Sequence, residues 1–202
     1  MNLYDKLLDD YGYGIPFNLE EVSFYDYSLS WIKKELNNLV NDKRIIRYER
    51  GLYYIPEKTI FGFSSLNPQK IIMKKYLSND SGYYSGLYFA NKIGLSSQMP
   101  NVIEIYTNHE KSRSRKIRIQ NQSIILRRAR VAITKDNSNV LSFLELMNSF
   151  PLDYFNDERK EIIKSFIKKY RIHRCQITKY AKFFPDLAMR NLIESEIIYE
   201  IA

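Results

Sequence analysis

The sequence predicts an α+β chain in three parts: a small N-terminal helix-and-hairpin domain, a central small α/β domain and a C-terminal helical subdomain. Three observations carry this prediction. Apolar residues recur at helical spacing over residues 29–40, and again in several blocks from residue 139 onward. Two short runs rich in β-branched and aromatic residues follow the first of these stretches, separated by Glu49-Arg50-Gly51. Three further strand-like runs lie between residues 102 and 131.

Composition sets the class. Of 202 residues, 45% are hydrophobic and 27% charged, which supports packed cores and argues against disorder. No apolar run reaches the roughly 18 residues a membrane span needs, and the start, MNLYDKLLDDYG, lacks the layout of a secretory leader. A single cysteine, Cys175, makes no internal disulfide, so a reducing, cytoplasmic setting is expected. The net charge of +8 is uneven: residues 109–130 hold eight Lys/Arg and one acid. Such a block favours a polyanion or an acidic partner, with a solvated basic face as the plain alternative.

Taken in order, residues 2–11 read as a first helix with Leu3, Leu7 and Leu8 on one side. A short apolar-patterned stretch, Pro16 to Val22, precedes a longer amphipathic one whose stripe is Leu29, Ile32, Leu36, Leu39 and Val40. The strands expected next are Lys43–Tyr48 and Gly51–Ile55, turned at a glycine suited to positive φ. Helix, turn, helix and hairpin in that order make a winged helix-turn-helix domain over residues 1–57, which would lay its second helix in the DNA major groove. The exposed side of that helix offers Ser30, Lys33, Lys34, Asn37 and Asn38, side chains able to reach base edges and phosphates. Arg47 and Arg50 would sit near the wing tip. The plain alternative is a bare folding unit or a protein-interaction module.

Glu57 to Asn67 is the linker candidate, and Asn67-Pro68 opens the central domain, residues 68–135, with a helix carrying Ile71, Ile72, Tyr76 and Leu77 inward. Ser85 caps a two-turn helix ended by Gly94. Strands are expected at 102–107, 116–120 and 123–131. Arg113, Arg115, Lys116, Arg118, Arg128 and Arg130 are candidates for contact with a polyanion or partner, Arg128 and Arg130 sharing one strand face. The competing reading is a charged edge strand that discourages aggregation. The C-terminal subdomain, residues 136–202, reads as helices at about 139–149, 158–170, 173–183 and 186–200.

The run SGLYFANKIGLSSQMP (Ser85 to Pro100), followed by NVIEIYTNHEKSRSRKIRI, resembles the core signature of AbiEi-type antitoxins: a helix with small residues ending in Gly-Leu, then a strand ending in Thr-Asn. The upstream unit, with Gly-Leu-Tyr-Tyr closing its hairpin, is similar to theirs. The likeness spans roughly residues 10–135. It implies an antitoxin that binds double-stranded operator DNA, represses its own operon and counteracts a nucleotidyltransferase toxin, with or without direct contact. Carried onto this chain, the DNA contacts are Lys33, Lys34, Asn37, Asn38, Arg47 and Arg50. The signature positions Ser85, Gly86, Ala90, Gly94 and Leu95 are expected to act by close packing. A stand-alone regulator or an interaction adaptor, docking through Arg113–Arg118 or Lys164–Arg174, is the alternative.

No enzyme chemistry is expected. His109 and His173 lie far apart, and neither has a partner at metal-ligand spacing. Cys175 and His173 do not face each other on a helix. Asp9-Asp10 and Glu20-Glu21 read as solvated acids. No phosphate-binding glycine loop follows Gly12-Tyr13-Gly14, so neither metal nor cofactor is assigned.

Overall fold

The computed structural model describes residues 2–23 and 25–201. The chain is a mixed α+β protein that divides into two compact units, residues 1–75 and 76–202. Unit 1 takes in the expected N-terminal domain and linker candidate. Unit 2 takes in the other two expected regions except the opening helix of the central one, residues 68–72, which belongs to unit 1.

Unit 1 begins with α1 (Leu3–Tyr11), whose N-cap Asn2 accepts from the Asp5 amide at 2.9 Å. β1 (Phe17–Asn18) leads into a single turn, α2 (Leu19–Val22), then α3 (Leu29–Asn41), β2 (Ile46–Glu49) and β3 (Leu52–Tyr54). The stretch Pro16 to Val22 is thus half strand and half helix: Phe17 pairs with Tyr53, and Glu21 reaches back to the Asn18 amide to start the turn. The sheet order is β1-β3-β2, all antiparallel. A bulge shifts the register between Arg47 and Glu49. Leu3, Leu7, Phe17, Val22, Ile32, Leu36, Leu39 and Ile45 form the core. Leu29, expected in the apolar stripe, is exposed, because it begins α3 ahead of the first core contact.

Residues 57–67 are not a featureless linker. β4 (Lys58–Thr59) and β5 (Gly62–Phe63) form a small hairpin. Thr59 Oγ1 closes its turn by donating to the Gly62 carbonyl at 2.8 Å. α4 (Pro68–Ile72) then starts as expected, with Pro at its first position and Asn67 capping. Lysines on and after it fasten the segment: Lys70 donates to the Gly14 carbonyl at 2.8 Å, Lys74 pairs with Glu21 and Lys75 with Glu49. The helix widens into a π-turn over Met73–Leu77, within which the two units divide.

Unit 2 is built on a four-stranded mixed sheet of order β6-β7-β9-β8: β6 (Gly82–Ser85), β7 (Val102–Thr107), β8 (Ser114–Ile119) and β9 (Gln122–Arg128). β7 and β9 run parallel; the other two pairings are antiparallel. The Thr-Asn pair at the end of β7 has a clear structural use. Thr107 donates to the Ser81 carbonyl, while the Asn108 amide group both donates to and accepts from the Ile133 backbone. α5 (Gly86–Lys92) follows Ser85, which is buried but makes no side-chain cap. Gly94, at φ +86°, ends that segment and lets the Leu95 amide return to the Ala90 carbonyl.

Four helices complete the unit: α6 (Ser138–Ser149), α7 (Asp157–Tyr170), α8 (Arg174–Ala181) and α9 (Asp186–Glu194). α6 is buried from Val140 to Met147, the mark of a central helix. It packs on β6, α5, α8 and α9. The last expected helix stops at Glu194, where Glu196 takes a left-handed conformation and a 3₁₀ turn follows over Ile197–Glu200.

Candidate nucleic-acid interface

α3 is where the candidate contacts begin. Ser28 caps it, accepting from the Trp31 amide at 3.3 Å, and Ile32, Leu36 and Leu39 anchor one side in the core. Ser30, Lys33, Lys34, Asn37 and Asn38 are consequently all exposed on the rest of the helix. They are not equivalent. Lys33 and Asn37 line a groove of about 600 Å³ whose other wall is the β2–β3 hairpin, bearing Arg47 and Arg50. Gly51, at φ +81°, makes the hairpin turn that places Arg50 on that wall.

Ser30, Lys34 and Asn38 lie outside this groove. Asn38 spends an amide hydrogen on Glu35 at 3.1 Å, and the Ser30 hydroxyl sits 3.2 Å from that of the capping Ser28. Two acids also line the groove, Glu20 and Glu49. Glu49 is paired with Lys75 at 2.8 Å, whereas the exposed Glu20 side chain has no ion pair among the described residues. Sequence reasoning missed both acids as groove residues. Their place depends on the α2 turn and the bulge in β2, neither of which has a periodic signature.

The basic candidates of unit 2 fall into two groups. Arg115, Lys116 and Arg118 are on β8, at an edge of the sheet. Arg115 is bound to Glu110 at 2.8 Å and Arg118 to the Gln120 carbonyl at 3.1 Å, so two of the three are engaged locally. Arg113, Arg128 and Arg130 line a separate hollow together with Arg127. β9 ends at Arg128, so Arg130 is not on its strand face as expected; the chain has already left the sheet. Its guanidinium turns to Glu145 on α6, with Nε at 2.9 Å and Nη2 at 3.3 Å.

Glu145 also accepts from the Tyr106 hydroxyl at 2.8 Å and from Asn148 at 3.2 Å. It was not singled out from the sequence, although a signal existed: it is the one acid in the apolar run Val140–Met147. Burial raises the Tyr106 phenol above its ordinary value, with the neighbouring Glu145 charge adding to it. Glu110 shows the opposite effect. The Ser112 hydroxyl, at 2.6 Å, holds its carboxyl down at about 2 against the pull of burial, helped by the Ser112 amide and Arg115.

His109 is exposed with Nε2 3.1 Å from the Ser81 hydroxyl, and His173 precedes α8. Among the described residues no group of three metal-ligating side chains converges, and no helix is long and apolar enough to cross a membrane. One acid of each adjacent pair is put to structural use: Asp10 accepts from the Tyr25 hydroxyl, and Glu21 holds both Asn18 and Lys74. No family model, curated protein or solved structure matches this chain.

Proposed function

We propose that residues 1–75 form a winged-helix domain that binds double-stranded operator DNA, and that the chain is an AbiEi-like antitoxin and autorepressor. The observation that carries the DNA-binding reading is the groove in which Lys33 and Asn37 of α3 face Arg47 and Arg50 of the hairpin. An amide and a cation on a helix, with two guanidinia on an adjoining wing, combine base-edge readout with phosphate anchoring. The chain order α1-β1-α2-α3-β2-β3 and the sheet order β1-β3-β2 support the same reading, since they set a hairpin directly beside the second long helix. In this arrangement Lys33 and Asn37 enter the major groove, Arg47 and Arg50 meet the backbone, and Lys34 and Ser30 lie farther out. Regulation needs no catalysis, and none is assigned.

The antitoxin part rests on the sequence likeness over Ser85–Ile119, whose signature residues pack: Ala90 and Leu95 are buried, and a side chain at Gly86 would meet that of Glu104. Binding of the duplex upstream of the gene, read by fluorescence anisotropy, tests the first part. K33A/R50A should weaken it by about 3 kcal/mol, roughly a hundredfold, with an unchanged melting curve. Wild-type affinity in that variant removes the groove from the interface. Growth rescue on co-expression with a neighbouring nucleotidyltransferase tests the second; failure to rescue leaves a DNA-binding regulator without antitoxin activity.

A further inference from the structure

Four arginines converge on one hollow of unit 2, of about 500 Å³, at the end of β9. It is lined by Arg113, Arg127, Arg128 and Arg130, with the rings of Tyr106 and Phe183 beside them. Among the described residues no carboxylate lines it. The acids that partner these arginines bind from outside the lining. Glu104, on the neighbouring strand β7, accepts from Arg127 Nε at 2.9 Å, and the buried Glu145 takes Nε and Nη2 of Arg130.

A guanidinium has five N–H donors in a rigid fork. Glu104 uses only the Nε of Arg127, and Glu145 leaves Nη1 of Arg130 unspent. Arg113 and Arg128 make no side-chain hydrogen bond or ion pair among the described residues, and both are exposed. Like charges gathered in one hollow repel each other, and two carboxylates compensate only two of the four. The excess charge faces the hollow. Because two of the forks are already fixed in place by their carboxylates, a tetrahedral oxyanion would meet donors that need little reordering.

We propose that this hollow is a phosphate-binding site, with Arg127 and Arg130 as its fixed donors and Arg113 and Arg128 closing on the remaining oxygens. The phosphate belongs either to a small phosphorylated ligand or to a nucleic-acid backbone. Phe183, 38% exposed, offers a ring at the rim for the organic group that carries it. The site lies wholly within residues 76–202, so it stands or falls independently of the groove in unit 1.

Calorimetric titration of the full chain with inorganic pyrophosphate tests it, alongside a short single-stranded oligonucleotide titrated into the K33A/R50A chain. Saturable pyrophosphate binding is expected, weakened at least about tenfold by R113A/R128A and unchanged by K33A/R50A. Displacement of pyrophosphate by the oligonucleotide, itself lost in R113A/R128A, identifies a nucleic-acid backbone as the source; indifference to it identifies a small phosphorylated ligand. The proposal is overturned if neither probe saturates, or if an R113A/R128A chain with the wild-type melting curve binds as wild type does.

Discussion

Single side chains in unit 2 show how charge is made tolerable inside an apolar setting. Glu145 is buried on α6, yet it is met by Arg130, Tyr106 and Asn148, which together occupy its two oxygens. Its role was legible in principle, since a lone acid amid Leu141, Phe143, Leu144, Leu146 and Met147 must find a partner. Which partner it finds was not, because Arg130 is near it only after β9 has ended. Glu110 gives a measurable consequence. Its folded carboxyl sits at about 2, below the ordinary 4.5, so its contribution to stability is complete above pH 4.5 and is lost as pH falls through about 2. Glu110→Gln should therefore lower stability at pH 7 by roughly 2 kcal/mol, the scale of charge-assisted hydrogen bonds. That deficit should shrink toward zero near pH 2 in urea-unfolding curves. A pH-independent deficit would assign the loss to packing instead.

At the scale of elements, the parts that local chemistry specifies were the readable ones. Asn67-Pro68 starts α4, Gly51 turns the hairpin, and β7 spans residues 102–107 as expected. The parts set by tertiary pairing were not. Phe17 and Asn18 lie in a helical-looking pattern but are claimed by β3, and residues 58–63 pair as a hairpin although Ile60 and Phe61 stand 93% and 95% exposed at its turn. Half of the candidate site was visible in this way: periodicity places Lys33 and Asn37 opposite the core stripe, and turn chemistry places Arg50. The acids beside them required the fold. Since α3 carries the proposed contacts, its N-cap matters for binding as well as stability. Ser28→Ala removes the acceptor for the Trp31 amide and should cost about 1 kcal/mol in unfolding free energy. Thermal melts of the variant check this; no change would mean that the tertiary contacts of Ile32 and Leu36 alone hold the first turn.

For the molecule as a whole, charge is divided very unequally. Residues 1–75 hold eleven Lys/Arg and ten Asp/Glu, a net of +1, so residues 76–202 carry the remaining +7 of the chain's +8. The proposed DNA binding by unit 1 would then rest on local placement, with Lys33, Arg47 and Arg50 gathered in one groove, and not on a general positive field. The larger field belongs to unit 2, where the arginine hollow lies. A chain arranged like this should bind duplex DNA through a limited number of phosphate contacts. The salt dependence of binding to the duplex upstream of its gene measures that number. Neutralising roughly six phosphates gives a log–log slope of about −5, which K33A/R50A, removing the backbone contact of Arg50, should make shallower by about 1. A slope near zero, or one that K33A/R50A leaves unchanged, would contradict the assignment of this groove to DNA.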